Sequence, residues 1–279
     1  MAPKRKSTPS QNPLSSGTSS SSDLTPSFVR FHDKNVWKDF LENFCRRGIH
    51  LECHIVLSVF SITNLPTVIH SRGWESLYDI PVTCPSVIIQ EFYSNMHRIE
   101  TSVPHFFSRV RGTRIVVTPE IVSEVLHVSR VVHLDYPGCE HLRIMSKDEL
   151  SSCFCETPSS WGDCQNTPCS GFAKGPSFLN MVMTFVLHPL SHYNSITEPR
   201  APFFLSFLED ISIDFLSHFI ISLIDVYRDT TTCDKLNFPL VITQILCHIF
   251  VLFPVSPHFF VMGAIDTTTV WWSEAQLRP

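Results

Sequence analysis

The sequence predicts a mainly helical globular domain in two halves, with a small β-hairpin in the first half and a disordered N-terminal tail. Three observations lead there. Apolar residues recur at helical spacing through most of residues 33–250. The period drops to two over residues 107–117. Residues 1–27 have no apolar period at all. With 279 residues, 43 % of them apolar, the chain can bury a substantial core. Its 22 Phe against five Tyr and five Trp favour packing, because a phenyl ring needs no hydrogen-bond partner when buried.

The tail, residues 1–27, is rich in Ser, Thr, Pro and Lys, includes Ser19-Ser20-Ser21-Ser22, and cannot repay the entropy of ordering. Within it Pro3-Lys4-Arg5-Lys6 is a basic cluster of the kind read by nuclear import receptors, so Lys4, Arg5 and Lys6 are candidate import residues. The plainer account is a solubilising charge run.

The first half, residues 28–133, opens with a helix from Asp33. Trp37, Phe40, Leu41 and Phe44 fall at i, i+3, i+4 and i+7, and Gly48 closes the segment. A second helix is expected over residues 51–61, and a short element between Pro66 and Gly73 leads into Trp74. From Ser86, as N-cap, a further helix aligns Ile88, Ile89, Phe92 and Met96 on one stripe, which assigns Glu91 and Asn95 to its wetter side. Two strands then flank Gly112-Thr113 as a β-hairpin. Thr118-Pro119-Glu120 is a helix start, with a hydroxyl cap, proline at the first helical position and an acid in the first turn.

Residues 134–177 read as an irregular, Cys-containing linker or insertion, broken by Pro137-Gly138, Pro158, Gly162, Pro168, Gly171 and Gly175-Pro176, with Ser146 and Glu149 spaced for one capping box. The second half, residues 178–265, begins with a helix apolar nearly all round until Pro189. Others follow from Pro202, over 211–227 with Asp214, Ser217, His218 and Asp225 interrupting it, and over 240–250. Residues 266–279 form a C-terminal tail. No internal repeat of fixed period is present.

A net charge of −5 supplies no global attraction to nucleic acid, so any such contact must be local. Arg98, Arg109, Arg111 and Arg114 gather around the predicted hairpin, and two-stranded ribbons can enter a DNA groove. Arg109, Arg111 and Arg114 are therefore the candidate nucleic-acid residues, with Arg109 and Arg111 on one strand face. The bland alternative is a charged edge that resists aggregation.

The ten cysteines are expected to be reduced, since the chain opens without a signal-peptide pattern. Cys153, Cys155, Cys164 and Cys169 form the densest group, but their spacing matches neither paired zinc motifs nor a zinc knuckle, so no metal or other cofactor is expected. Ala264-Ile265-Asp266-Thr267-Thr268 approaches an aspartic protease signature but lacks the glycine after Asp-Thr. Nothing singles out a metal-binding triad among Asp135, Glu209, Asp210, Asp214 and Asp225, and His188, His192, His218 and His248 lack the His-Glu-x-x-His arrangement. Neither a Gly-x-Ser-x-Gly elbow nor a phosphate-binding loop occurs. Residues 236–265 hold no Asp, Glu, Lys or Arg, which raises membrane insertion, yet Pro239, Pro254, Pro257, Gln244 and His248 interrupt them, so a span is not expected.

Gly73-Trp74, Glu91-Phe92-Tyr93-Ser94-Asn95-Met96, Val110-Arg111-Gly112, Leu187-His188-Pro189-Leu190-Ser191-His192, Leu208-Glu209-Asp210-Ile211-Ser212-Ile213-Asp214, and the run from Pro239 to Cys247 occur in an order that resembles the putative plant transposon protein domain family. The resemblance covers about residues 30–255. It implies a protein derived from a plant retroelement, with these segments as structural positions and no assigned catalytic residue. The chain departs from that pattern in the Cys-rich stretch 153–169 and ends earlier than relatives with polar tails. The combined expectation is a non-catalytic interaction or assembly module, nuclear or cytoplasmic, that binds another protein or itself. A nucleic-acid-binding accessory protein using the arginine-bearing hairpin is the alternative, and a membrane-associated protein the third.

Overall fold

A computed structural model describes residues 30–61, 63–78, 83–131, 135–157, 160–161, 166–189, 195–209, 211–229, 235–251, 258–260 and 262–265. Lys4, Arg5, Lys6, Cys164, His192, Asp210 and Asp266 lie outside these residues, as do both expected tails.

Helix α1 (Lys34–Glu42) starts where Asp33 accepts the N–H groups of Asn35 and Val36 at 2.7 and 3.0 Å. It buries Phe40 against Phe31. Phe44 follows in a 3-10 turn, and Leu41 of the expected stripe faces outward. After the short strand β1 (Gly48–Ile49), the predicted helix over 51–61 is replaced by strand β2 (Cys53–Ile55) and a 3-10 turn, Leu57–Phe60. Cys53 and Ile55 point inward around exposed His54, a period of two that the apolar composition of the stretch conceals.

Helix α2 (Leu65–Ser71) ends at Gly73, whose φ of +64 suits glycine, and this turn delivers Trp74 into the core against Phe207 and Phe215. Strand β3 (Thr83–Pro85) leads into α3 (Ser86–Ser94), capped by Pro85 without a side-chain bond rather than by Ser86. The expected hairpin is larger than two strands: β4 (His97–Glu100), β5 (His105–Val110) and β6 (Thr113–Val117) form an antiparallel sheet that packs on α3. Helix α4 (Pro119–Leu126) begins as predicted, with Thr118 Oγ1 accepting the Ile121 N–H.

The stretch 134–177 is not structureless. It contains α5 (Glu140–Ile144), α6 (Lys147–Phe154), β7 (Asn166–Pro168) and the start of α7 (Lys174–Val182). Both bonds of the Ser146–Glu149 capping box are made. Short helices between breakers leave too few turns for a period to register, which is why the sequence conceals them. The buried α7 runs into a π-helical turn, Met183–Leu187, before Pro189. Strand β8 (Ser195–Thr197) pairs with β7, and α8 (Ala201–Leu208) follows. Helix α9 (Phe215–Arg228) is capped by Asp214, a residue the sequence placed inside the helix as an interruption. Strand β9 (Lys235–Leu236) joins β1 in parallel, α10 (Pro239–His248) packs on α3 and α4, and β10 (His258–Phe260) and β11 (Met262–Ile265) pair with β3 and β2. Helices carry most of the core, and one buried cluster runs from Phe31 to Val251.

Helix α3 holds the greatest departure from the sequence reading. Glu91 and Asn95, assigned to its wet side, are 0 % and 1 % exposed. Their polar groups are satisfied inside. Arg30 donates to Glu91 Oε2 from Nη2 and Nε at 2.5 and 3.1 Å, while the Arg111 N–H donates to Oε1 at 2.6 Å, with the Arg111 Nε 3.7 Å from Oε2. Asn95 Oδ1 accepts the His32 N–H at 2.9 Å, and its Nδ2 donates to Arg30 O and Glu91 O. One helix thus ties the segment at 30–32 to the hairpin turn, and the Tyr93 hydroxyl adds a bond to Asn237 O at 2.9 Å.

Removing one member of a buried ion pair strands the other, so Glu91→Ala is expected to lower unfolding stability by about 3 kcal/mol in urea titrations, with Glu91→Gln costing less. An unchanged midpoint for Glu91→Ala would contradict this account. A second prediction concerns pH. Burial pushes the Glu52 carboxyl up to about 8, although the N–H groups of Leu240 and Val241 at the start of α10 bond to it at 3.2 to 3.4 Å and pull the other way. The folded state then keeps a proton that the unfolded chain releases near 4.5, so stability drains away as pH rises from there to about 8. Burial lowers His50 and His218 to about 4, with Lys235 and Arg200 respectively adding to it, so these groups withdraw stability as pH falls from 6.5 toward 4. Glu52→Gln is expected to flatten the decline above pH 6.5 in a series of thermal melts and to steepen the acid limb below it, because Glu52 no longer opposes the histidines between 4.5 and 6.5.

Candidate nucleic-acid interface

The hairpin turn places the candidate residues. Arg111 and Gly112 are its two central residues, with φ of 52 and 84, and Val110 pairs with Thr113 across it. That register sets Phe106, Ser108, Val110, Ile115 and Val117 inward, leaving Phe107, Arg109, Arg114 and Val116 on the outer face. Arg109 stands directly opposite Arg114. Next to a two-residue turn this is a non-hydrogen-bonded pair, the position where side chains approach most closely. Like charges there are unfavourable, and among the described residues neither guanidinium has a carboxylate partner.

The neighbouring strand adds to this charge. Between β4 and β5 the register passes from His97↔Phe107 to Glu100↔His105, one residue more on β4 than on its partner. The bulge contains Arg98 at φ 49, a left-handed conformation in which a side chain is strained. Its guanidinium lies 5.9 Å from the centroid of the Phe107 ring. His32, held by Asn95, stacks on His97 at 4.7 Å with planes 10° apart. The His97 Nδ1 is 2.8 Å from Asn95 O, so it carries the proton and Nε2 is the acceptor when the ring is neutral. Together His32, His97, Arg98, Phe107, Arg109 and Arg114 line a cleft of about 190 Å³, and no acid is among its lining residues.

Four other first-half arginines show the contrast with these three. Arg30 and Arg111 serve Glu91. Arg47 donates to Val226 O at 3.0 Å and to Asp229 O, and Arg72 to Ser206 O and Ile211 O at 3.2 and 3.0 Å, which satisfies carbonyls at the ends of α9 and α8. Arg98, Arg109 and Arg114 have no such internal task.

Arg111, predicted to share a strand face with Arg109, sits instead in the turn and points back to Glu91. The structure therefore brings together Arg109 and Arg114 and removes Arg111. His32, His97 and Phe107 were missed by the sequence reading. The alternation that exposes Arg109 also exposes Phe107, so that residue was legible, whereas His32 and His97 meet only through the fold.

Other candidates have structural occupations. Cys153 is exposed on α6, Cys155 bridges to Phe172, and Cys169 is buried with Asn180 Nδ2 at 3.1 Å from its sulfur. Burial raises the Cys169 thiol to about 12, opposing the thiolate a metal needs. Among the described residues no three His, Cys, Asp or Glu side chains come together to hold a metal. His188 Nδ1 meets His218 Nε2 at 3.0 Å beside Phe203, a pair kept neutral by burial. Asp135 bonds Ser212, and Glu209 lies 3.6 Å from His141. A second cleft, about 320 Å³, is lined by Tyr136, Leu142, Arg143, Met145, Lys147 and Glu198, where Lys147 and Glu198 pair at 2.6 Å. Among the described residues no helix is long and apolar enough to cross a membrane.

The fold and this face define a mainly helical domain that presents a basic, aromatic-lined sheet surface. The chain belongs to the family described as Putative plant retrotransposon-related domain, whose family model matches residues 70–250. Comparison with curated proteins and with solved structures brings no match.

The bulge is testable. Arg98→Gly is expected to leave the melting temperature unchanged or slightly higher, because glycine removes a left-handed strain of about 1 kcal/mol. Arg98→Val should lower it, since a β-branched residue tolerates that conformation least. Equal melting temperatures for both variants would mean that residue 98 is not held at positive φ.

Proposed function

We propose that the chain is a non-catalytic interaction module derived from a plant retroelement, and that it contacts nucleic acid through the outer face of β4, β5 and β6. One observation carries this reading. Arg109 and Arg114 face each other across a strand pair without a carboxylate between them, and Arg98 is held on the same cleft by a strained bulge. Such charge is costly to the free protein and favourable once a phosphate backbone lies against it. Membership of a retrotransposon-related family supports a nucleic-acid partner. The Lys4-Arg5-Lys6 cluster supports delivery to the nucleus. Assembly with a protein partner is the second reading, favoured by Ile144, which is 74 % exposed next to the 320 Å³ cleft.

The test is fluorescence anisotropy of labelled oligonucleotides with the full chain across a salt series. Arg109→Ala/Arg114→Ala is expected to weaken binding at least about tenfold and to reduce the slope of log K against log salt by about 1, since the two opposed guanidinium groups meet one phosphate. Absence of salt-dependent binding, or a double variant that binds like the parent, overturns the proposal. If Ile144→Glu alone abolished a self-association seen by sedimentation, the assembly reading would take its place.

A further inference from the structure

Resting on that reading, we infer that the cleft accepts a single strand, with an unstacked base on Phe107 and the adjoining phosphate between Arg109 and Arg114. Three features exclude the alternative in which the hairpin enters a duplex groove as a ribbon. The tip is tied down: the Arg111 N–H donates to Glu91, a carboxylate with no exposed surface, and its guanidinium pairs with the same group, so the leading cation of such a ribbon is already engaged by the protein. The positive charge lies on the face of the sheet, in a hollow of about 190 Å³. A duplex keeps its bases stacked and presents a convex backbone, which cannot bring a base plane against a ring in such a hollow.

The third feature is the number of cations. Duplex binding at physiological salt rests on several phosphate contacts, about 6–10 in strongly salt-dependent proteins. This cleft offers Arg98, Arg109 and Arg114 in a chain of net charge −5. A large part of the affinity must come from elsewhere, and the cleft supplies it as π-faces: Phe107, with the His32–His97 stack beside it. Residues 107 and 109 on the same face of β5 are about 7 Å apart, a span that one extended nucleotide covers from base to phosphate. The Phe107 ring is fixed by its neighbours, with His97 at 6.0 Å and His105 at 6.2 Å between centroids, so little is lost in ordering it on binding.

The experiment compares fluorescein-labelled single-stranded RNA and DNA of about 12 nucleotides with the corresponding duplex, using the full chain. Single strands are expected to bind at least about tenfold more tightly than the duplex. Phe107→Leu should weaken single-strand binding about tenfold while leaving the salt slope unchanged, and Phe107→Tyr should retain affinity. Thermal melts of both variants confirm that the fold is intact, and Arg143→Ala in the second cleft should bind like the parent. Duplex binding equal to or tighter than single-strand binding overturns this inference and leaves the nucleic-acid reading standing. A folded Phe107→Leu at parental affinity overturns the stacking. Failure to bind any of the three probes overturns the underlying reading itself.

Discussion

Glu91 is a side chain without exposed surface, and the placing of the chain around it follows from the bonds that satisfy it there. Burying an ion costs several kcal/mol unless geometry and hydrogen bonds replace the lost water. Arg30, Arg111 and the Arg111 N–H provide that replacement. Because the partners come from the segment before α1 and from the β5–β6 turn, satisfying Glu91 also positions both. Asn95, one turn along α3, fixes the backbone of His32 in the same way. The cleft on the sheet is thus defined from beneath: its rim residue, its turn and its register refer to one helix face.

The local part of this design could be read from the sequence, and the part that depends on distant partners could not. Thr118-Pro119-Glu120 and Ser146 with Glu149 are complete signals, since cap, first turn and reciprocal acid lie within four residues. The glycine at the hairpin turn is equally self-contained. Glu91 and Asn95 mislead, and Glu52 goes unnoticed, for a common reason. Each is polar in sequence and buried in structure, and its partner lies tens of residues away, as Glu52 shows by reaching the start of α10. Asp214 misled differently, because a cap read without its boundary looks like an interruption. The site followed the same division. Arg109 and Arg114 were found by proximity in the chain, Phe107 was missed although alternation exposes it, and the histidine stack exists only once α3 has placed residue 32 beside residue 97.

The acidic chain and its basic face are compatible because the charges are sorted by task. Acids cap helices at Asp33 and Asp214, support the capping box at Glu149 and occupy the interior at Glu91. Exposed pairs such as Lys38 with Glu42 contribute little beyond solubility. Arg98, Arg109 and Arg114 share one hollow that no acid lines, so the net charge of the chain says little about what that hollow attracts.

The arginines at the ends of α8 and α9 have a consequence for inheritance. Arg72 and Arg47 belong to the first half of the chain, yet the carbonyls they satisfy belong to helices of the second. Tyr93 and Glu52 make the same crossing to Asn237 and α10. The second portion thus lacks side-chain partners that its own backbone uses, so a gene fragment encoding it alone would specify helices with open ends. A rearrangement that carried the second portion away from the first would separate those helix ends from the side chains that complete them.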